Sequence, residues 1–379
     1  MRFSMGERVR LGLSWAVTAG VLAGFFALGK PLPTAGVQPN GKFTREAMYW
    51  KRADRGVKCG LCPFNCYLGE GARGKCRVRA SCGGKLLTMV WGQAASLAVD
   101  PIEKKPVFHM LPGTLILSFA TVGCPLRCNF CQNWSLSQVQ PEELKGREIT
   151  TPEVIVGYAL ANRIPSIAYT YSEPAVFYEY MLDTAMLAKR KGLRNVVVTS
   201  GYINPEPLEK LAPYLDVVKV DLKGLNPGFY KDEVGGRLEP VLATLKLLRA
   251  KGVLVEVVNL VVPGRNDSGE DFTRLAAWVM ENMGADTPLF FSRFHPDYRL
   301  ANLPSTPLET LERARALARK AGLRYVYLGN VPGGKGENTV CPWDGTLLVG
   351  REGYLIRAYN LKAGRCPSCG RTIPGIWHR

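Results

Sequence analysis

From Leu115 onward the chain alternates short apolar, β-branched runs with longer segments in which apolar positions recur at helical spacing. The short runs predict strands at 115–120, 166–171, 195–199, 216–222, 253–262, 288–294 and 325–328. The longer segments predict helices at 152–162, 174–191, 239–251, 268–283 and 307–321. Two helix starts carry a cap residue before proline, Thr151-Pro152 and Thr306-Pro307, with Glu309 completing a capping box in the second. Strands alternating with helices at this interval make a parallel sheet with crossover connections. The expected class is α/β, a partial (open) parallel βα barrel of about six strands.

The flanks follow other patterns. Residues 11–29 are uncharged and mostly apolar, preceded by Arg2, Arg8 and Arg10. As a helix such a segment would be about 28 Å long, just enough to cross a hydrocarbon core. It is expected to be either a membrane anchor or a signal peptide. Positive charges lie on both sides, so the charge rule leaves orientation open. The expected division is 1–37 as hydrophobic segment and linker, 38–110 as a Cys-rich segment, 111–330 as the core barrel and 331–379 as a zinc-ribbon-like segment.

In such a barrel the chemistry gathers on the loops that follow the strands. The unusual polar residues fall there: Tyr171-Ser172-Glu173 after the second strand, Thr199-Ser200 after the third, Asp221 and Lys223 after the fourth, Asn266-Asp267 after the fifth and His295 after the sixth. After the first strand comes Cys124-Pro-Leu-Arg-Cys128-Asn-Phe-Cys131. Three thiolates so spaced suit three irons of a [4Fe–4S] cubane and leave one iron free for another ligand. A structural zinc site would need a fourth ligand, and no Cys or His follows Cys131 until His295.

Two further cysteine sets flank the core. Cys59, Cys62, Cys66 and Cys76 can close a tetrahedral zinc site or hold a fully ligated auxiliary cluster. Cys341, Cys366 and Cys369 resemble two zinc knuckles, but Asp344 stands where a fourth cysteine would complete them. A Cys3Asp site, recruitment of His378 and loss of the metal all remain open. Eleven cysteines so grouped in a 379-residue chain speak for metal ligation in a reducing compartment rather than a disulfide framework. The net charge of +17 is scattered, with no aromatic-interleaved basic patch, so nucleic-acid binding is not the first expectation.

The Cys124–Cys131 spacing, with Phe130 before the third cysteine, resembles the radical S-adenosylmethionine (radical SAM) superfamily. The continuation to Trp134 looks like its pyruvate formate-lyase activating enzyme branch, and the wider context, including the stretch from Val99 to Pro106, is similar to the radical SAM member of the AmmeMemoRadiSam system. This similarity runs from about Tyr49 to the C-terminus. It implies that Cys124, Cys128 and Cys131 hold a [4Fe–4S] cluster whose open iron chelates S-adenosylmethionine, cleaved reductively to a 5′-deoxyadenosyl radical that takes hydrogen from a substrate. It implies a cofactor pocket of Tyr171, Ser172, Glu173, Thr199, Ser200, Asp221, Lys223 and His295, an electron donor such as flavodoxin or ferredoxin, and a substrate that is a protein in the activating-enzyme branch. Val198 and Ser200 depart from that branch, so any cation site there is not implied. Oxygen-sensitive chemistry places the catalytic part on the cytoplasmic side of a membrane anchor, with export as the alternative. An RNA-modifying radical SAM enzyme and a non-catalytic membrane-bound electron carrier are the rival readings.

Overall fold

Valine-rich runs with no room for a polar alternation form strands covered on both faces. The computed structural model describes residues 41–378 except 332 and 334. Its central sheet holds β1 (Ser96–Pro101), β2 (Leu115–Ala120), β3 (Ser166–Tyr169), β4 (Arg194–Thr199), β5 (Val217–Asp221), β6 (Leu254–Val261), β7 (Leu289–Arg293) and β8 (Val326–Gly329). Spatial order follows chain order, from β1 at one edge to β8 at the other. The strands β2 to β8 are parallel, in registers such as Leu117 opposite Ile167 and Val197 opposite Val218, so all seven deliver their following loops to one end.

The seven expected runs all form parallel strands, against the barrel of about six they were expected to make, and the sheet gains an antiparallel edge strand in β1. That strand was unexpected because its side chains alternate between exposed and half-buried, which leaves no apolar run. The connecting helices are α1 (Pro152–Ala161), α2 (Tyr178–Arg190), α3 (Pro205–Leu211), α4 (Glu239–Ala250), α5 (Gly269–Met283) and α6 (Leu308–Lys320). The short α3 has too few turns to show a period in the sequence. Thr306 is not the expected cap. Its buried hydroxyl donates to the Val261 carbonyl at 2.6 Å and accepts from the Phe294 amide at 2.9 Å, tying the ends of β6 and β7.

Two small three-stranded sheets precede the main sheet and one follows it. The last, built from Thr339–Val340, Leu347–Glu352 and Leu355–Tyr359, shares an apolar cluster with Phe290 and Tyr327. His109 pins this junction: its ring lies 2.7 Å from the Tyr327 hydroxyl and 2.6 Å from the Pro374 carbonyl. Full burial lowers its pKa to about 4, so the ring is neutral at pH 7. The expected anchor at residues 11–29 lies outside the described residues. Among the described residues no helix is long and apolar enough to cross a membrane.

Candidate active site

The loop after β2 begins with Gly123 at φ 102°, a backbone conformation that favours glycine. A Cβ there would stand 2.6 Å from Val78 and 2.8 Å from the Cys76 carbonyl, so the space is already taken by the N-terminal segment. Beyond it the loop is held by amide bonds from Arg127 to Val234 (3.0 Å) and from Asn129 to Glu233 (2.8 Å). Cys124, Cys128 and Cys131 are thereby turned onto one cavity of about 330 Å³. All three are free thiols, and Cys131 Sγ lies 3.3 Å from Ser137 Oγ.

The opposite wall comes from the ends of β3, β4 and β5. Tyr171 sits at φ 65°, and its hydroxyl donates to Asp100 at 2.6 Å. Glu173 caps the turn at Pro174–Phe177 through the Ala175 amide. Its Oε1 also accepts from Thr199 Oγ1 at 2.5 Å, and its Oε2 accepts from Ser200 N at 2.9 Å and Ser200 Oγ at 2.5 Å. Four donors saturate this carboxylate, leaving as acceptors beside it Ser200 Oγ and the one lone pair of Thr199 Oγ1 that the Gly201 amide, at 3.0 Å, does not take. Ser172 Oγ is buried on the same wall with no partner. Asp221 and Lys223 form an ion pair at 3.0 Å. Burial disfavours the Lys223 charge, but Asp221 and then Cys128 outweigh it and hold the pKa up. Asn266 fixes this corner by donating to the Lys223 carbonyl at 2.7 Å.

The cavity suits the group the three thiols imply. Burial drives the Cys124 thiol up, with Glu173 and Cys128 adding to it, and pushes Cys128 up to about 12 although Lys223 pulls the other way. Buried thiols of this kind become thiolates when a metal supplies the compensating charge. Among the described residues, neither this set nor any other containing these cysteines closes to single-ion spacing, as a cluster with one thiolate per iron requires.

Of the expected pocket residues, Tyr171, Ser172, Glu173, Thr199, Ser200, Asp221 and Lys223 line the cavity. His295 does not. It is exposed, with Nδ1 3.3 Å from the Pro296 carbonyl. The inner wall adds Lys104, Lys105 and Lys219, which the strand-end argument passed over. Lys219 carried a signal, a charge amid the valines of β5. It is fully buried against Glu256, and burial lowers its pKa to about 8. Lys105 bonds Asp100 at 2.6 Å, and three hydrogen bonds hold Asp100 at about 2 despite its burial.

Comparison with known proteins agrees with the geometry. A model described as the Radical SAM superfamily matches residues 119–279. An uncharacterized protein of Methanocaldococcus jannaschii is 48% identical over 332 residues, 87% of this chain and 98% of its own length. The pyruvate formate-lyase 1-activating enzyme of Escherichia coli is 24% identical over 234 residues, 57% of this chain and 93% of its own. Among solved structures, Streptococcus suis SuiB bound to S-adenosylmethionine is similar over 64% of this chain and 57% of its own, with 14% identity and a TM-score of 0.47. The chain belongs to the radical SAM superfamily, on its activating-enzyme-like side, and is an enzyme whose cofactors are a [4Fe–4S] cluster and S-adenosylmethionine.

Proposed function

We propose that the protein generates a 5′-deoxyadenosyl radical in the cavity at the carboxyl end of the sheet and removes a hydrogen atom from a protein substrate, as an activase does. The observation that carries this reading is one cavity whose facing walls hold three free thiols and a set of groups matched to a zwitterionic amino acid. When bound at Cys124, Cys128 and Cys131, the reduced cluster supplies the electron for S-adenosylmethionine cleavage.

The chain's own residues bind and orient. The hydroxyl oxygens of Thr199 and Ser200 would hold the methionine ammonium, with the Glu173 carboxylate behind them supplying charge. Lys223, held protonated by Asp221, would pair with the cofactor's carboxylate. Buried Ser172, unpartnered on the same wall, would offer a further hydroxyl to the cofactor. Phe130 and Leu126 exclude water from the reacting centre. Similarity to an enzyme named for activating pyruvate formate-lyase supports a protein substrate.

At the C-terminal end, Cys341, Asp344, Cys366 and Cys369 bring ligand atoms within 4.8 Å of one another. The spacings of 3.6 Å between Cys341 Sγ and Cys369 Sγ and 3.4 Å between Cys366 Sγ and Asp344 Oδ2 suit a tetrahedral zinc ion, so this set is assigned a structural zinc.

Anaerobically reconstituted protein given dithionite and S-adenosylmethionine should release 5′-deoxyadenosine, and Cys128→Ser should reduce release to the protein-free background. Turnover by the variant would overturn the assignment of the thiols.

A further inference from the structure

Cys59, Cys62, Cys66 and Cys76 take no part in the site described above, yet they are not scattered. Together with Leu61, Leu68, Gly74, Arg79 and Val176 they enclose a separate small void of about 20 Å³. All four thiols are free. We propose that they ligate a second, fully coordinated [4Fe–4S] cluster rather than a zinc ion.

Room is the first argument. A zinc ion bonded to sulfur at about 2.3 Å leaves no space among its ligands for anything the size of water. This void admits a water-sized sphere, and all four thiols are among the residues that line it. Spacing is the second. Among the described residues the C-terminal set brings its ligand atoms within 4.8 Å of one another, while no three of Cys59, Cys62, Cys66 and Cys76 do so, nor do Cys124, Cys128 and Cys131. In a cubane each thiolate binds a different corner, which demands that wider separation.

The walls are built to keep such a group. A Cβ at position 74 would lie 3.6 Å from Cys76 Sγ and 3.8 Å from Cys66 Sγ, so the Gly74 backbone forms one wall beside two of the thiols. Arg79 is 1% exposed and brings Nη1 to 3.7 Å from Cys59 Sγ, while its Nε has no partner. A buried guanidinium beside four thiolates opposes the net negative charge that they and a cubane carry together. Glu179 of α2 pairs with this arginine, which ties the nest to the main sheet's helical layer.

The place also has a sense. The Cys76 carbonyl packs on Gly123, the residue before Cys124, and Arg77 bonds Gln138 at 3.1 Å and the Ser137 carbonyl at 3.4 Å in the loop beyond Cys131. The two cysteine nests therefore share a wall. With four thiolates on four irons the second cluster has no open corner, so it holds an electron and chelates no substrate.

The test is the metal and sulfide content of the full chain after anaerobic reconstitution with iron and sulfide. The native sequence should carry about eight irons and about eight sulfides, besides about one zinc. A variant with Cys124, Cys128 and Cys131 all changed to Ala should keep about four of each, and its reduced electron paramagnetic resonance signal should ignore S-adenosylmethionine. Adding Cys62→Ala and Cys76→Ala should remove the remainder. About four irons with about two zincs in the native chain would overturn the proposal, and this count needs no variant to fold. Stray iron at the C-terminal set would bring no sulfide. Because the content is read without turnover, failure here is separable from failure of radical generation.

Discussion

The central and C-terminal cysteine sets present similar thiol groups in opposite arrangements. Cys341, Asp344, Cys366 and Cys369 close on one another, with sulfurs as near as 3.6 Å and all four ligand atoms within 4.8 Å. Cys124, Cys128 and Cys131 instead face a cavity of about 330 Å³ with Glu173, Asp221 and Lys223 across it. A closed set stabilises a fold, and an open one keeps a coordination position for chemistry. What separates them is the surroundings: a knuckle that folds back on itself in one case, and a glycine-led loop aimed at the ends of three strands in the other.

Removing one thiol from each set sharpens that contrast most. Cys128→Ser should eliminate 5′-deoxyadenosine formation, whereas Cys369→Ser should retain turnover of the folded protein, lose zinc and lower the melting temperature, as metal content and calorimetry would show. A Cys369→Ser variant with native melting behaviour but no turnover would erase the distinction. Next in size, Glu173→Gln turns an amide toward donors already committed to a carboxylate. Loss of charged hydrogen bonds worth roughly 1.5–3 kcal/mol predicts a decrease of about ten- to hundredfold in kcat/KM for S-adenosylmethionine.

A smaller effect concerns the seam between the sheet and the C-terminal segment. His109 titrates at about 4 in the folded chain against 6.5 ordinarily. The unfolded state therefore binds more protons between those values, and stability is lost as pH falls from 6.5 to 4, by on the order of 3 kcal/mol. Denaturant titrations across that window should show the slope, and His109→Gln should flatten it. Smallest of all, His295→Ala should leave 5′-deoxyadenosine formation within about twofold, the usual reach of an exposed substitution away from the site.

The parallel strands were legible because β-branched runs bounded by turns leave little else for the backbone to do, and Leu115–Ala120 came out with its observed limits. Seven of eight expected pocket residues reach the cavity because parallel strands in sequential order deliver every following loop to one end. His295 failed that rule, since the loop after β7 turns outward beyond Phe294, which is fully buried. Thr306 misled because a threonine before proline reads the same whether it caps a helix or laces two strands. Lys104 and Lys105 were hidden for a different reason: they follow an antiparallel edge strand, outside the βα repeat on which the expectation was built.

Gly123 sets a limit on how far this protein can be trimmed. Its backbone rests on Val78 and the Cys76 carbonyl, residues that lie outside the stretch 119–279 by which the superfamily is recognised. A fragment cut to that stretch would keep every thiol of the radical-generating loop and lose the floor on which the loop stands. The shared segment is therefore a signature of ancestry here, not a detachable catalytic module.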